Sequence, residues 1–262
     1  MGMRGFITAI RTLTIIPLPG KEAQRFSSSM IWFPGIGLIL GLVIYGLGWL
    51  WIKFIGTDWP GGGAVMLLIT QVILTRGLHL DGLADWADAL GGKRDKTTRL
   101  AIMKDPRVGA FGVIALVTVF LTKWVALGRM LSMGSFIWIV FIMVISRDMM
   151  VVLMTTLPYA RTEEGMASPF IKDISPGQKI GAHMFCLILC LLVGPTGLLI
   201  YGLGWVITKF LKASYVNCFG GITGDLLGAT NEIVEMILLM ICAANASLIL
   251  DFTGWDWVQA LM

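Results

Sequence analysis

Three aspartates, Asp81, Asp85 and Asp88, stand in the segment His79-Leu-Asp-Gly-Leu-Ala-Asp-Trp-Ala-Asp88. On a helix advancing about 100° per residue they project at about 0°, 40° and −20°, so their carboxylates share one face. Like charges stacked in this way repel unless a cation lies between them, and divalent magnesium, which takes oxygen ligands, is the natural candidate. The plain alternative is a solvated helix end carrying three surface acids, which is costly at a membrane boundary. His79, two residues before Asp81, has a suitable pKa for a general base but could equally cap or orient the helix.

A second acidic stretch repeats the logic. Asp225, Glu232 and Glu235 fall at about 0°, −20° and −80° on a helix, with Gly228 and Ala229 on nearly the same side. Small residues there let another helix or a bulky ligand approach the carboxylates; the competing reading is a Gly-rich packing face with incidental acids. Two such faces suggest one shared pocket, in which metal-bound edges around a diphosphate would supply the counter-charge that phosphoryl transfer requires. Cations for an anionic substrate are present as well: Lys104, Arg107, Arg147 and Arg161. Arg147 lies within an apolar run, where a guanidinium needs a partner. Asp148 points about 100° away from it and is a poor one. That leaves substrate contact against snorkelling or an interhelical salt bridge. His183, in another apolar run, reads as a hydrogen-bonded core residue.

The elements that must position these groups are membrane helices. The chain of 262 residues is 56% hydrophobic and 14% charged, with a mean hydropathy of +0.83. Soluble domains carry about 25% charged residues, so a soluble fold is excluded for want of polar surface. Residues 27–52 and 180–208 are long charge-free runs. Shorter or lightly charged runs lie at 59–75, 108–131, 134–157 and 236–250. Since about 20 apolar residues cross a bilayer, these amount to about six transmembrane helices, or seven, in an all-α polytopic bundle. The chain reads as a single membrane-embedded domain over 1–262. Residues 1–25 lack the small-residue cleavage pattern of a signal peptide and read as an interfacial segment. Basic residues exceed acids in 1–25 and in 93–107, which places both in the cytoplasm and the active face with them.

The four cysteines form no CxxC pair, and with two histidines a His-rich metal site is excluded. A net charge of +4 is small for a nucleic-acid binder, so anionic lipid or an anionic substrate is the expected partner. One difficulty stands. Three apparent spans separate Asp88 from Asp225, which would put the two acidic faces on opposite sides of the bilayer. Either a segment is re-entrant, or Gly194-Pro195 divides a run into two helices, or both faces border a cavity within the membrane.

Taken in order, these motifs resemble the cobalamin synthase family, the adenosylcobinamide-GDP ribazoletransferases. The resemblance runs through Ile16-Pro17, Phe33-Pro34, His79-Leu-Asp-Gly-Leu-Ala-Asp85 with Ala87-Asp88, and Met103-Lys-Asp-Pro-Arg-Val-Gly-Ala-Phe-Gly112. It continues through Arg147, Ala160-Arg-Thr-Glu-Glu-Gly165, Gly221-Ile-Thr-Gly-Asp225 and Gly228-Ala-Thr-Asn-Glu232 to Glu235. Trp86 and Arg76 depart from the expected pattern. The resemblance implies a magnesium-dependent transfer of the adenosylcobinamide-phosphate group of adenosylcobinamide-GDP to the ribose hydroxyl of alpha-ribazole or its 5′-phosphate, releasing GMP. It implies magnesium on Asp81, Asp85, Asp88, Asp225 and Glu232, and substrate contacts from Lys104, Arg107, Arg147, Arg161, Asn231 and Glu235. Asp81, Asp85 or His79 would serve catalysis. It also implies a bacterial or archaeal cytoplasmic membrane, and leaves homo-oligomerisation open. The rival readings are an intramembrane prenyltransferase with two Asp-rich motifs, and an ion-coupled transporter.

Overall fold

Apolar runs broken by glycine and proline fold, in the computed structural model, into helices alone. The structure describes residues 2–163, 165, 167–171 and 174–247, so the end of the run at 236–250 lies outside the described residues. Eleven α-helices are seen there, and no strand beyond an isolated bridge between Tyr159 and Ile222.

Helix α1 (Met3–Leu13) buries Ile7, Ile10 and Leu13 against a 3-10 segment, Phe26–Trp32. Helix α2 (Phe33–Phe54), with Pro34 in its first turn, packs along α7 (Trp138–Thr156). The contact is backbone to backbone: a β-carbon on Gly41 would lie 2.7 Å from the Val140 Cα. Gly37 and Gly41 permit this approach, since a β-carbon at either would meet the α7 backbone. Helix α7 is the centre of the bundle and is buried through nearly its whole length.

Helix α3 (Pro60–Thr75) does not continue into the acidic segment. It stops at Arg76 (φ 55°) and Gly77 (φ 65°), both in the left-handed region, and α4 (Leu78–Leu90) leaves at 91° to it. A left-handed arginine is strained, and the Arg76 guanidinium is tied down by donating to the Arg11 carbonyl at 3.0 Å. The run at 59–75 is thus α3 alone, and the acids ride on a separate helix about 20 Å long that leaves it at a near right angle.

After α5 (Lys96–Ile102), α6 (Ala110–Met133) crosses beside α3 and α4. A short α8 (Ser168–Ile171) precedes α9 (Pro176–Leu192), whose start carries a capping box between Ser175 and Gln178. Gly194-Pro195 then turns the chain into α10 (Pro195–Phe219), and α11 (Gly224–Ala244) follows with Thr223 as its N-cap. Gly194-Pro195 does divide the long run into two helices, α9 and α10, which pack side by side, and the 91° bend between α3 and α4 breaks the second run as well.

Four helical segments are long and apolar enough to cross a membrane, 26–54, 110–133, 138–156 and 224–244, and a fifth is added if α3 and α4 count as one bent span. The chain is thus an all-α membrane protein. The number is below the six or seven expected, because α9 has only 17 residues and α10 carries Lys209 and Lys212.

Candidate active site

The two acidic segments meet. Helix α4 lies on α11 with Gly82 against Asp225 and Gly228 against His79: a β-carbon on Gly82 would fall 2.5 Å from the Asp225 carbonyl oxygen, and one on Gly228 would fall 3.0 Å from the His79 Cα. Two small residues, one per motif, set this crossing.

A local device brings a cation to the same place. The Ala160 N–H donates to the Ile222 carbonyl and the Ile222 N–H to the Pro158 carbonyl, each at 2.9 Å, so the loop after α7 is stitched to the start of α11. Arg161 follows this stitch, and its Nη2 donates to Asp225 Oδ2 at 2.9 Å. Its Nε is buried and finds no protein acceptor among the described residues. An orphaned guanidinium N–H beside a cavity is a fit partner for a phosphate oxygen.

Asp81, His79, Arg161 and Asp225 line one cavity of about 570 Å³, together with Arg76 and Tyr159. Asp85 stands one turn on from Asp81 in α4, and the charges that act on it most strongly are Asp81, Asp225 and Arg161. Asp81 and Asp85 have no ion-pair partner among the described residues. The far wall of the cavity is apolar, with Phe26, Phe33, Phe170, Met150 and Met154.

Asp88 is engaged elsewhere. Its two oxygens accept from the Gly109 and Gly112 N–H groups at 2.7 and 2.8 Å, closing the N-terminus of α6. A β-carbon at either glycine would lie 2.5 Å from the carboxylate, which accounts for the glycines in that motif. Lys104 and Arg107 stand on the loop between α5 and α6, exposed, with Lys104 on Glu163 at 2.6 Å and Arg107 on Asp105 at 2.7 Å. The loop reaches the cavity side through the Met103 carbonyl, which accepts from Arg161 Nη2 at 3.5 Å. Hydrogen bonding from the Arg107 guanidinium holds the exposed Asp105 carboxyl down at about 2, and Lys104 lowers that of Glu163.

Glu232, Glu235, Asn231 and Arg147 form a different group, sealed inside the bundle. Lys123 Nζ, on α6, donates to Glu232 Oε2 at 2.6 Å and to Glu235 Oε1 at 2.9 Å. Arg147 Nη1 donates to Glu235 Oε2 at 2.8 Å, Gln71 donates to Glu235 Oε1, and Asn231 Nδ2 reaches Glu232 Oε1 at 3.3 Å. The helical projection of Glu232 near Asp225 holds, yet seven residues of rise, about 10 Å, carry it away from the cavity. Of the readings open for Arg147, the interhelical salt bridge is the one the fold makes. Asp148 serves other partners, accepting from the Tyr201 hydroxyl at 3.0 Å and lying 2.8 Å from His183 Nδ1.

Lys123 and Gln71 escaped the sequence reading. A lysine inside a 24-residue apolar helix carries the same signal that drew attention to Arg147: a charge in an apolar run needs a partner.

The donor set suits a hard dication. No three His, Cys, Asp or Glu side chains among the described residues are grouped closely enough to hold an ion by themselves. Magnesium is commonly held by one or two carboxylates and completed by substrate phosphates and water. Asp81 and Asp85, unpaired beside Asp225, are of that kind.

Comparison with known proteins identifies the family. The family model for cobalamin-5-phosphate synthase matches residues 5–243. A protein of Chlorobium phaeobacteroides (strain BS1) named adenosylcobinamide-GDP ribazoletransferase is 42% identical over 240 residues, covering 90% of this chain and 96% of its own. Proteins of the same name from Prosthecochloris aestuarii and Syntrophobacter fumaroxidans are 40% and 38% identical, covering 89% and 91% of this chain and 95% and 97% of theirs. No solved structure matches the chain.

Proposed function

The chain belongs to the cobalamin-5-phosphate synthase family, and on that footing we propose that it transfers the adenosylcobinamide-phosphate group of adenosylcobinamide-GDP to alpha-ribazole or its 5′-phosphate. The oxygen of the ribose 3′-hydroxyl forms a bond to the cobinamide-bearing phosphorus. The bond from that phosphorus to the bridging oxygen breaks, GMP departs with the bridging oxygen, and the hydroxyl proton passes to a carboxylate.

The single observation that carries the reading is the juncture of α4 and α11: unpaired Asp81 and Asp85 face Asp225, with Arg161 clamped between the cavity and Asp225. Arg161 holds a phosphoryl oxygen through its free Nε and keeps it aligned by its bond to Asp225. Lys104 and Arg107, on the adjoining loop, meet the outer phosphate of the departing nucleotide. Asp81, at the cavity surface, is the proton acceptor best exposed to an incoming hydroxyl; His79, 2% exposed, is a positioning residue under it. Asp81 and Asp85, with Asp225 nearby and substrate phosphates completing the set, would hold magnesium, whose role would be to neutralise the diphosphate and the charge that develops on the leaving oxygen. Asp88 and Glu232 are left out of that set because Gly109, Gly112 and Lys123 already occupy their oxygens.

The basic residues Lys93, Arg94, Lys104 and Arg107 flank α5, whose following loop reaches the cavity through the Met103–Arg161 contact, so the positive-inside rule supports a cytoplasmic active face in a bacterial or archaeal cytoplasmic membrane. The test is turnover by Asp81→Asn in membranes: GMP release should fall by about 100-fold or more while the protein remains inserted and extractable. Wild-type GMP release from that variant would overturn the assignment, and release of pyrophosphate instead of GMP would favour a prenyltransferase.

A further inference from the structure

The bend between α3 and α4 gathers hydrogen-bond donors that lack acceptors. Helix α4 starts after Gly77, which has no side chain to cap it, and the Leu78, His79 and Leu80 N–H groups meet no acceptor among the described residues. His79, 2% exposed, adds a ring nitrogen, Nε2, with no partner there. Arg76, just before the helix, is exposed and pairs with no carboxylate among the described residues. Its one hydrogen bond, from Nη2 to the Arg11 carbonyl, leaves Nε and Nη1 free.

These donors stand where two cavities meet. The cavity of about 570 Å³ holds Arg161 and Asp225; a second, of about 400 Å³, lies between α4 and α6 with Leu80, Ala84, Val108 and Leu116 in its walls. Arg76, Leu78 and Asp81 line both, and Arg76 is the one cationic side chain among the described residues that line the second. Free N–H groups at the positive end of a helix, beside a guanidinium, suit an anion. The backbone agrees. Arg76 holds φ 55°, a region that a residue with a side chain enters at a cost, and what arginine adds there over glycine is its guanidinium.

We propose that Arg76 and the first turn of α4 bind the 5′-phosphate of a phosphorylated acceptor, and that Arg76 thereby sets the preference between alpha-ribazole 5′-phosphate and alpha-ribazole. The proposal rests on the transfer reaction above. The 5′-phosphate and the attacking 3′-hydroxyl belong to one ribose, so the cation for the first must stand beside the group that takes the proton of the second. Arg76 and Asp81 meet that condition by lining the same two cavities. The diphosphate of the other substrate already has Arg161, with Lys104 and Arg107 for its outer phosphate. Donor and acceptor anions then each have their own cation, which offsets the repulsion that two phosphates feel on approach.

The experiment is steady-state GMP release by the full-length protein in nanodiscs of zwitterionic lipid, with each acceptor in turn, for wild type, Arg76→Gly and Arg76→Asn. Both replacements tolerate a left-handed backbone, and a ratio of KM values does not depend on how much protein is folded. The ratio of KM for alpha-ribazole to KM for its 5′-phosphate should fall about 10-fold or more in both variants, the size of a charge-assisted hydrogen bond. A role confined to closing the end of α1 through Arg11 moves both KM values together; a ratio equal to that of wild type overturns the proposal. Inorganic phosphate should compete with the 5′-phosphate in wild type and about 10-fold more weakly in Arg76→Gly, and equal inhibition overturns the proposal too. Nanodiscs with anionic lipid test the other source of phosphate: if Arg76 serves a lipid headgroup, the variants differ from wild type only in that lipid, and the proposal fails. Calorimetry with alpha-ribazole 5′-phosphate alone separates the site from the reaction. Binding that weakens in Arg76→Gly, together with no GMP release from wild type, refutes the transfer reaction and leaves the phosphate site standing.

Discussion

Gly82 and Asp225 touch through their backbones: the Cα of Gly82 sits so close to the first turn of α11 that a single added carbon would lie 2.5 Å from the Asp225 carbonyl oxygen. This contact joins two motifs that are far apart in sequence, and it fixes the spacing between the Asp81 and Asp225 carboxylates.

Gly82→Ala should therefore act as a wedge. Overpacking of this kind costs about 1–3 kcal/mol, read as a lower thermal midpoint in detergent, and GMP release should fall more than the loss of folded protein explains. Unchanged stability together with unchanged turnover would mean that α4 and α11 are free to separate.

The clamp between Arg161 and Asp225 predicts a sharp distinction between cations. Arg161→Lys keeps the charge but cannot donate to Asp225 and a phosphate oxygen through one planar fork. It should lose about 10–100-fold in kcat/KM, with most of the change shared by Arg161→Ala. A lysine variant with full activity would reduce Arg161 to a point charge.

Lys123 holds two buried glutamates, so Lys123→Met leaves them facing each other and should destabilise the protein by about 3–5 kcal/mol, the usual result of breaking a buried ion pair. Adding Glu232→Gln should restore part of that loss. The check is a double-mutant cycle on thermal unfolding, and strict additivity would show that the pair does not interact.

Asp88 separates a cap from a ligand. Because it accepts the Gly109 and Gly112 N–H groups through both oxygens, Asp88→Ala should cost about 1–2 kcal/mol by freeing the N-terminus of α6, and Asp88→Asn, which keeps one acceptor but turns an amide donor toward the other N–H, should cost about 1 kcal/mol. Magnesium dependence of turnover in Asp88→Asn should match wild type; a large rise in the magnesium requirement would restore Asp88 to the metal set.

The exposed Asp105 carboxyl is depressed to about 2 by its hydrogen bonds from Arg107. A group lowered in the folded state contributes stability above its unfolded pKa and loses it as pH falls through the folded value. The Asp105–Arg107 clasp should thus persist at every pH above about 4 and open only toward pH 2, observable as a carboxyl carbon shift in a site-labelled protein. Any change of activity between pH 5 and 8 must then arise from other groups.

Much of the site was readable from spacing. The shared face of Asp81, Asp85 and Asp88 follows from helical periodicity alone, and the pairing of the two acidic stretches follows from the need for counter-charge around a diphosphate. Periodicity speaks to angle, however, and not to depth: Glu232 shares a direction with Asp225 and still falls outside the cavity. The right-angle bend at Arg76-Gly77 is not legible, because a left-handed arginine has no sequence signature. Nothing in 79–88 announces that Gly109 and Gly112 will come to Asp88.

The sealed group of Lys123, Arg147, Glu232 and Glu235 sums to zero formal charge, and this bears on how the bundle is made. Lys123 and Arg147 leave the ribosome 112 and 88 residues ahead of Glu235. Until α11 arrives, Lys123 of α6 and Arg147 of α7 lack the carboxylates they pair with in the finished bundle, and lipid is a poor substitute. These two helices must wait at the interface, or in the insertion machinery, for a C-terminal helix that completes the interior. A chain truncated before α11 should be a substrate for membrane proteolysis rather than a smaller version of the enzyme.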